Sequence, residues 1–330
     1  MNAPFFIVGA SRSGTTMLRL MLNAHSRLAV PEEFKYFNTL AGQVDLAQWR
    51  TPPELEVGYL ALVQTFLQRR RHVFEELGIE RLEVEILRDP ERTLRAPYRI
   101  AAEAWARHHS KVRWGEKTPQ NLFYADVLLD MFPGARFVYV ARDPRAVVAS
   151  MNRITYFSGD TVLNALNVRR AMGEGYTVFC RAVPPSRRFD VRYEDLVRDP
   201  EAALCAICTF LGERYEPGML AFHRHAAMFM APVIRTPAVT GPVSDAHTAK
   251  WKQTLRPAEV AVVESVCEDA MQAWGYEPVA ASLPPLRRLD QAAKWAYWNW
   301  KGWQHRHRRG YTVHYPALHR TRVRLRSLFA

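Results

Sequence analysis

Cysteine is scarce in this chain. There are four in 330 residues, Cys180, Cys205, Cys208 and Cys267, too few for a disulfide framework. Cys205 and Cys208 have C-x-x-C spacing, but they fall in an apolar helical run from Ala202 to Leu211 with no second ligand pair nearby. They read as buried core rather than as metal or redox chemistry. No H-E-x-x-H pattern or paired-cysteine site offers a catalytic metal. Apolar runs are short, and none reaches the roughly 20 residues needed to span a bilayer. Met1-Asn2-Ala3-Pro4 carries no basic n-region, and the apolar residues after it are spent on a strand, so a cytoplasmic protein is expected. No internal repeat is found.

The composition is that of a globular protein, 48% hydrophobic and 24% charged, and the length supports a substantial core. The net charge of +12 is unevenly spread. Between Arg287 and Ala330 stand eleven Lys/Arg against one acid, Asp290, which leaves about +2 for the rest. That segment interleaves its charge with Trp295, Trp298, Trp300, Trp303, Tyr311, Tyr315 and Phe329. Residues 287–303 read as a helix packed on the body. Residues 304–330 read as a basic extension suited to an anionic membrane surface, which would place the protein peripherally at the inner membrane face. No nucleic-acid module is present, so specific nucleic-acid binding is not expected. The chain divides into a main domain, 1–283, and a basic aromatic extension, 284–330; nothing in it speaks to oligomeric state.

Within the main domain, strands alternate with helices. Phe5–Val8 reads as a buried strand followed by a helix over Thr15–Asn23. A helical insertion with Pro52-Pro53 and Pro97 as punctuation fills 40–110. A strand over Lys111–Gly115 precedes a helix from about Asn121 to Met131. The strand Arg136–Val140 leads to a helix begun by Asp143-Pro144. A long helix from Val162 to Arg181, the strand Phe189–Tyr193 and the helix Pro200–Leu211 follow. This alternation predicts an α/β fold with a parallel sheet covered on both faces, and a site beyond the carboxyl ends of its strands.

The first strand runs into Gly9-Ala10-Ser11-Arg12-Ser13-Gly14-Thr15-Thr16, a small-residue loop that opens a helix. In such a setting backbone N–H groups and a helix N-terminus cradle phosphate. The spacing nearly fits G-x-x-x-x-G-K-[ST], except that Thr15 stands where the lysine should be. That lysine serves β/γ-phosphates, so its loss points to a 5′-phosphate ligand not cut at a γ-phosphate. An ordinary Gly-rich turn explains less, because Arg12 and two hydroxyls crowd the loop.

The loop resembles the 5′-phosphosulfate-binding loop of sulfotransferases that use 3′-phosphoadenosine 5′-phosphosulfate (PAPS), in the R-S-G-T-T branch of tyrosylprotein, carbohydrate and many bacterial members. Much of the chain from Phe5 to Trp251 can be laid on that family's pattern. The resemblance implies a P-loop NTPase-like three-layer sandwich with a central parallel sheet, PAPS as donor, adenosine 3′,5′-bisphosphate as product and no metal. It assigns Ser11, Arg12, Ser13, Gly14, Thr15 and Thr16 to the 5′-phosphosulfate. Arg142 and Ser150, in Phe137–Ser150, match the 3′-phosphate element; against this stands a surface ion pair of Arg142 with Asp143 or Glu194. Tyr193 matches a tyrosine near the adenine and 3′-phosphate, a half-buried sheet aromatic being the plainer reading. Thr236 and Lys250 match a segment closing over the donor, with Trp251 as anchor and Thr240 or Ser244 as competing hydroxyls. Lys117 matches the transition-state lysine and, with Arg12, the catalytic set. Glu33 matches the general base, Glu32 being its neighbouring competitor; His25 reads instead as a cap at the end of the first helix. The acceptor would bear a hydroxyl, a saccharide or glycolipid ahead of tyrosine or a small metabolite. Two other readings are a P-loop nucleotide or small-molecule kinase and a non-catalytic polyanion- or membrane-binding protein.

Overall fold

The structure, a computed structural model, describes residues 3–40, 56–154, 157–224 and 237–280, together with Ala293 and Ala296. Thr236 and the basic aromatic extension, apart from those two alanines, lie outside the described residues. No helix among the described residues is long and apolar enough to cross a membrane.

Five strands form one parallel sheet: β1 (Phe5–Gly9), β2 (Leu28–Ala29), β3 (Arg113–Lys117), β4 (Arg136–Ala141) and β5 (Arg188–Arg192), in the order β2-β3-β1-β4-β5. β1 is central, fully buried, and paired with β3 on one side and β4 on the other. Its side chains alternate between faces as a pleated strand requires. Phe6 and Val8 join a cluster with Phe137, Tyr139 and the helices of residues 56–108, 144–182 and 257–273, whereas Phe5 and Ile7 join one with Val138, Val140 and the helices Thr15–Asn23 and Pro200–Leu211. Helices on both faces of a parallel sheet make the expected three layers.

The helix Thr15–Asn23, here α1, and the helix Pro200–Leu211 have the bounds their sequences suggest. Other elements shift. The third strand does not start at Lys111: Lys111 N donates to Ala106 O, and Val112 N and Arg113 N both donate to Arg27 O. Pairing with β2 begins only at Arg113 and pairing with β1 carries the strand on to Lys117, opposite Ile7. Lys117 is therefore the last residue of the strand, not part of the loop after it. The helix expected from Asn121 splits into a 3₁₀ segment, Pro119–Tyr124, and a helix, Ala125–Met131. The long helix is a continuous run from Thr161 to Ala182 with a π-helical stretch over Arg170–Gly175. β5 ends at Arg192, so Tyr193 opens a helix, Tyr193–Arg198, rather than closing a strand. Helices Glu56–Arg69, Ile79–Arg88 and Arg95–His108 occupy the described part of the insertion.

Candidate active site

At the carboxyl ends of β1, β3 and β4 the chain presents, in order, Gly9 with its loop, Lys117 and Arg142. Gly9 has a φ of 149°, and a Cβ there would lie 2.5 Å from the Val140 carbonyl oxygen. Glycine is thus needed for the loop to leave the sheet beside β4. Arg12 has a φ of 72° and Gly14 one of 102°, two left-handed turns within three residues that coil the backbone into a cradle. Gly14 is the N-cap of α1 and has no side chain with which to cap it. The first-turn N–H groups of α1 are therefore available to an anion.

Tyr193 covers the back of this loop. A Cβ on Gly14 would meet its ring at 2.3 Å, and the Arg142 guanidinium lies 4.1 Å from the centroid of the same ring. Burial pushes the Tyr193 hydroxyl above its ordinary pKa, against the pull of Arg142. The side chain is 3% exposed, a wedge between loop and arginine.

Arg142 does not form the surface ion pair that its neighbours suggested. Asp143 holds Arg145, with a 2.8 Å contact, and Glu194 accepts from Asp143 N at 3.0 Å and from the Tyr276 hydroxyl at 2.8 Å. Arg142 instead donates to two main-chain carbonyls, Arg12 O at 3.2 Å and His247 O at 2.9 Å, while its buried Nε has no partner. With no carboxylate partner among the described residues and an N–H left over, this guanidinium has donor capacity that an anion could take up. Ser150 lies in the helix Pro144–Met151 and accepts from Arg12 Nε at 3.2 Å. Two motifs 138 residues apart in sequence thus meet at one point. Burial and the nearby Arg142 pull the Arg12 pKa down, while Glu33 opposes them.

The other half of the site is built on β3. Lys117 Nζ pairs with Glu33 Oε1 and donates to Thr16 Oγ1 at 3.3 Å. Glu33 also faces Lys35 Nζ at 3.3 Å. Burial pushes the Glu33 carboxyl up, but Lys117 and Lys35 outweigh it and hold it at about 2. Burial lowers the Lys117 pKa, and Glu33 works against that shift. Glu32, the competitor, faces His72 at 3.6 Å. His25 is used structurally: Nε2 donates to Arg214 O at 2.8 Å and Nδ1 accepts from Arg27 N at 3.0 Å.

Two residues that the motif reading left without a role fix this pair. Glu116, fully buried, accepts from Phe34 N (2.9 Å), Thr118 Oγ1 (2.6 Å), Tyr98 OH (3.0 Å) and Asn121 Nδ2 (2.7 Å). Thr118 Oγ1 in turn accepts from Lys35 N at 3.1 Å. The segment Phe34–Lys35, whose Lys35 has a φ of 46°, is thereby pinned to the end of β3. That places Glu33 against Lys117. Gln120 Nε2 adds a 2.9 Å bond to Ser11 Oγ, tying the same region to the loop. The only sequence signal was a buried acid and a hydroxyl flanking a lysine at a strand end.

Trp251 fixes the described part of the distal segment. Trp251 is buried, and the Arg145 guanidinium lies 4.2 Å from its ring centroid, so the segment holding His247 sits over Arg142. Lys250 precedes Trp251 and is exposed. Ser244 is an exposed N-cap, its Oγ accepting from Ala246 N at 3.2 Å.

The sheet presents a glycine-turned loop at its carboxyl edge, flanked by Arg142, which has no carboxylate partner among the described residues, and by the Lys117–Glu33 pair. The profile of the sulfotransferase family matches residues 4–217, and the chain belongs to that family. It is 27% identical over 255 residues to the omega-hydroxy-beta-dihydromenaquinone-9 sulfotransferase Stf3 of Mycobacterium bovis, covering 64% of this chain and 63% of that protein. It is 25% identical over 286 residues to protein-tyrosine sulfotransferase 2 of Gallus gallus, covering 83% of this chain and 70% of that one. The chain thus spans less than two thirds of Stf3. Among solved structures, the sulfotransferase domain of the Synechococcus PCC 7002 olefin synthase superposes with a TM-score of 0.58 at 21% identity, over 84% of this chain and 96% of that one. The three-layer fold is therefore shared.

Proposed function

We propose that this protein transfers the sulfonate group of PAPS to an acceptor hydroxyl. The observation that carries the reading is Arg142: a half-buried guanidinium without a carboxylate partner among the described residues, joined through Arg12 to Ser150 and to the phosphate cradle of α1. A second phosphate on the donor's ribose, beside the one in the loop, accounts for both features. The main-chain N–H groups of residues 14–16, with the Thr15 and Thr16 hydroxyls, suit the 5′-phosphosulfate; Arg142 and Ser150 suit the 3′-phosphate. Thr236, outside the described residues, and Lys250 would close over the donor.

In the transfer the acceptor oxygen forms a bond to sulfur in line with the bridging oxygen, which leaves as part of adenosine 3′,5′-bisphosphate. Lys117, beside Thr16, stabilises the negative charge that grows on that oxygen. Glu33 takes the acceptor's proton. A carboxylate held at about 2 is a weak base, so the pair with Lys117 is a resting arrangement. When Lys117 turns to the donor, Glu33 loses its strongest partner and gains basicity at the step that needs it. The kinase reading is not favoured, because Thr15 stands where the γ-phosphate lysine would be.

The names of the relatives span a hydroxylated menaquinone, protein tyrosine and carbohydrate; a saccharide or glycolipid hydroxyl is the acceptor class we place first. The test is transfer of labelled sulfonate from PAPS to a panel of an ω-hydroxylated polyprenyl quinone, a tyrosine peptide, an oligosaccharide and a host extract. Label in any acceptor, lost in Lys117→Ala, supports the reading. Absence of labelled product from all four overturns it.

A further inference from the structure

Glu76, His108 and His109 stand on the helical insertion and take no part in the sulfonate chemistry. We propose that they form a transition-metal site, best suited to zinc, which clips the 3₁₀ turn Glu75–Leu77 to the end of the helix Arg95–His108. One ligand atom from each of the three lies within 4.8 Å of the other two. Glu76 Oε1 is 3.3 Å from His109 Nε2, and Glu76 Oε2 is 3.9 Å from His108 Nε2. Two atoms bound tetrahedrally to one zinc at about 2.0–2.2 Å stand roughly 3.3–3.6 Å apart. Small side-chain rotations therefore bring all three onto one ion.

The donor set is two imidazoles and a carboxylate, the borderline chemistry that zinc accepts, with water to complete the tetrahedron. Glu76 and His108 are each 44% exposed, which leaves an entry path. His109 is better held: its ring packs on Trp105 with centroids 4.6 Å apart, and it lies across the His108 ring at 88°. Burial lowers its pKa below the ordinary value, although Glu76 opposes this.

The position gives such an ion structural leverage. The turn carrying Glu76 follows Arg70, which donates to Phe34 O at 3.1 Å, and His72, which faces Glu32. The helix carrying His108 bears Tyr98, which donates to Glu116, and leads through Ser110 into β3 and Lys117. A clip here fastens together the two elements that flank Glu33 and Lys117.

The test uses the full chain stripped by a chelator and titrated with zinc chloride by calorimetry, beside Glu76→Gln and His108→Asn. These substitutions lie on an exposed surface, and an unchanged far-UV spectrum checks their folding. We expect one equivalent of zinc bound with a micromolar Kd by the wild type and at least tenfold weaker by either variant. Cobalt should give a tetrahedral visible band in the wild type alone. Saturating zinc should raise the wild-type Tm by about 2–6 °C. Binding equal in the variants, which would place the ion on other histidines, overturns the proposal; so does a wild-type Kd above about 100 μM, an adventitious ion only. None of these readouts depends on PAPS, so this site and the sulfotransferase reading fail separately.

Discussion

In the proposed mechanism Glu33 and Lys117 are one residue pair with a role both at rest and in reaction. Alone, Glu33 is a carboxylate beside a loop. With Lys117 and Lys35 around it, it stays ionised down to about pH 2, and it works against the lowering that burial imposes on Lys117. Each group offsets the other's cost of leaving water. The Glu33→Gln variant keeps the shape but can accept no proton. Its kcat should fall by about 10²–10⁴-fold, while its affinity for adenosine 3′,5′-bisphosphate, measured by calorimetry, stays within a few-fold of wild type. Unchanged turnover would remove Glu33 from the role of base. Sequence alone left Glu32 and Glu33 side by side. The structure separates them by sending one to Lys117 and the other to His72.

At the scale of elements, the site is a meeting of strand ends, and most of these were legible. The apolar runs of β1 and β4 and the glycine spacing after β1 mark the cradle, because buried parallel strands and tight turns leave strong local signals. β2, two residues long, leaves none. Nor does the extension of β3 to Lys117, which follows from pairing with β1 rather than from local composition. The least legible parts were Glu116 and Thr118. Their role depends on Phe34 and Lys35, some 80 residues earlier in the chain. Thr118→Val removes the hydroxyl that bridges Glu116 and Lys35 N at nearly constant volume. If the bridge positions Glu33, kcat drops by about 10–10²-fold, the bisphosphate still binds, and Thr118→Ser restores most of the rate. A wild-type rate in Thr118→Val, or parallel loss of rate and nucleotide affinity, would argue against that role.

The whole molecule carries the consequence of burying such a pair. The Glu33 pKa in the folded state, about 2, lies below its ordinary 4.5. The pair therefore contributes stability that is present above about pH 4.5 and lost as the pH falls toward 2. Denaturant unfolding across that range should show the wild type's advantage over Glu33→Gln shrinking with acidity; a constant difference would contradict the ion pair. The same scale explains why the fold was easier to read than the acceptor. Alternating strands and helices fix the sheet, whereas no residue spacing in the helical insertion encodes the chemistry of an acceptor.

The central claim is that one nucleotide with two phosphates is held at two points, the cradle of α1 and Arg142. Calorimetric titration of the wild type and Arg142→Ala with adenosine 3′,5′-bisphosphate and with 5′-AMP tests it most directly. The account predicts that the wild type binds the bisphosphate about 10–100-fold more tightly than 5′-AMP, and that Arg142→Ala loses this preference while keeping its affinity for 5′-AMP. Equal affinity of the wild type for the two nucleotides, or an undiminished preference in the variant, would contradict it.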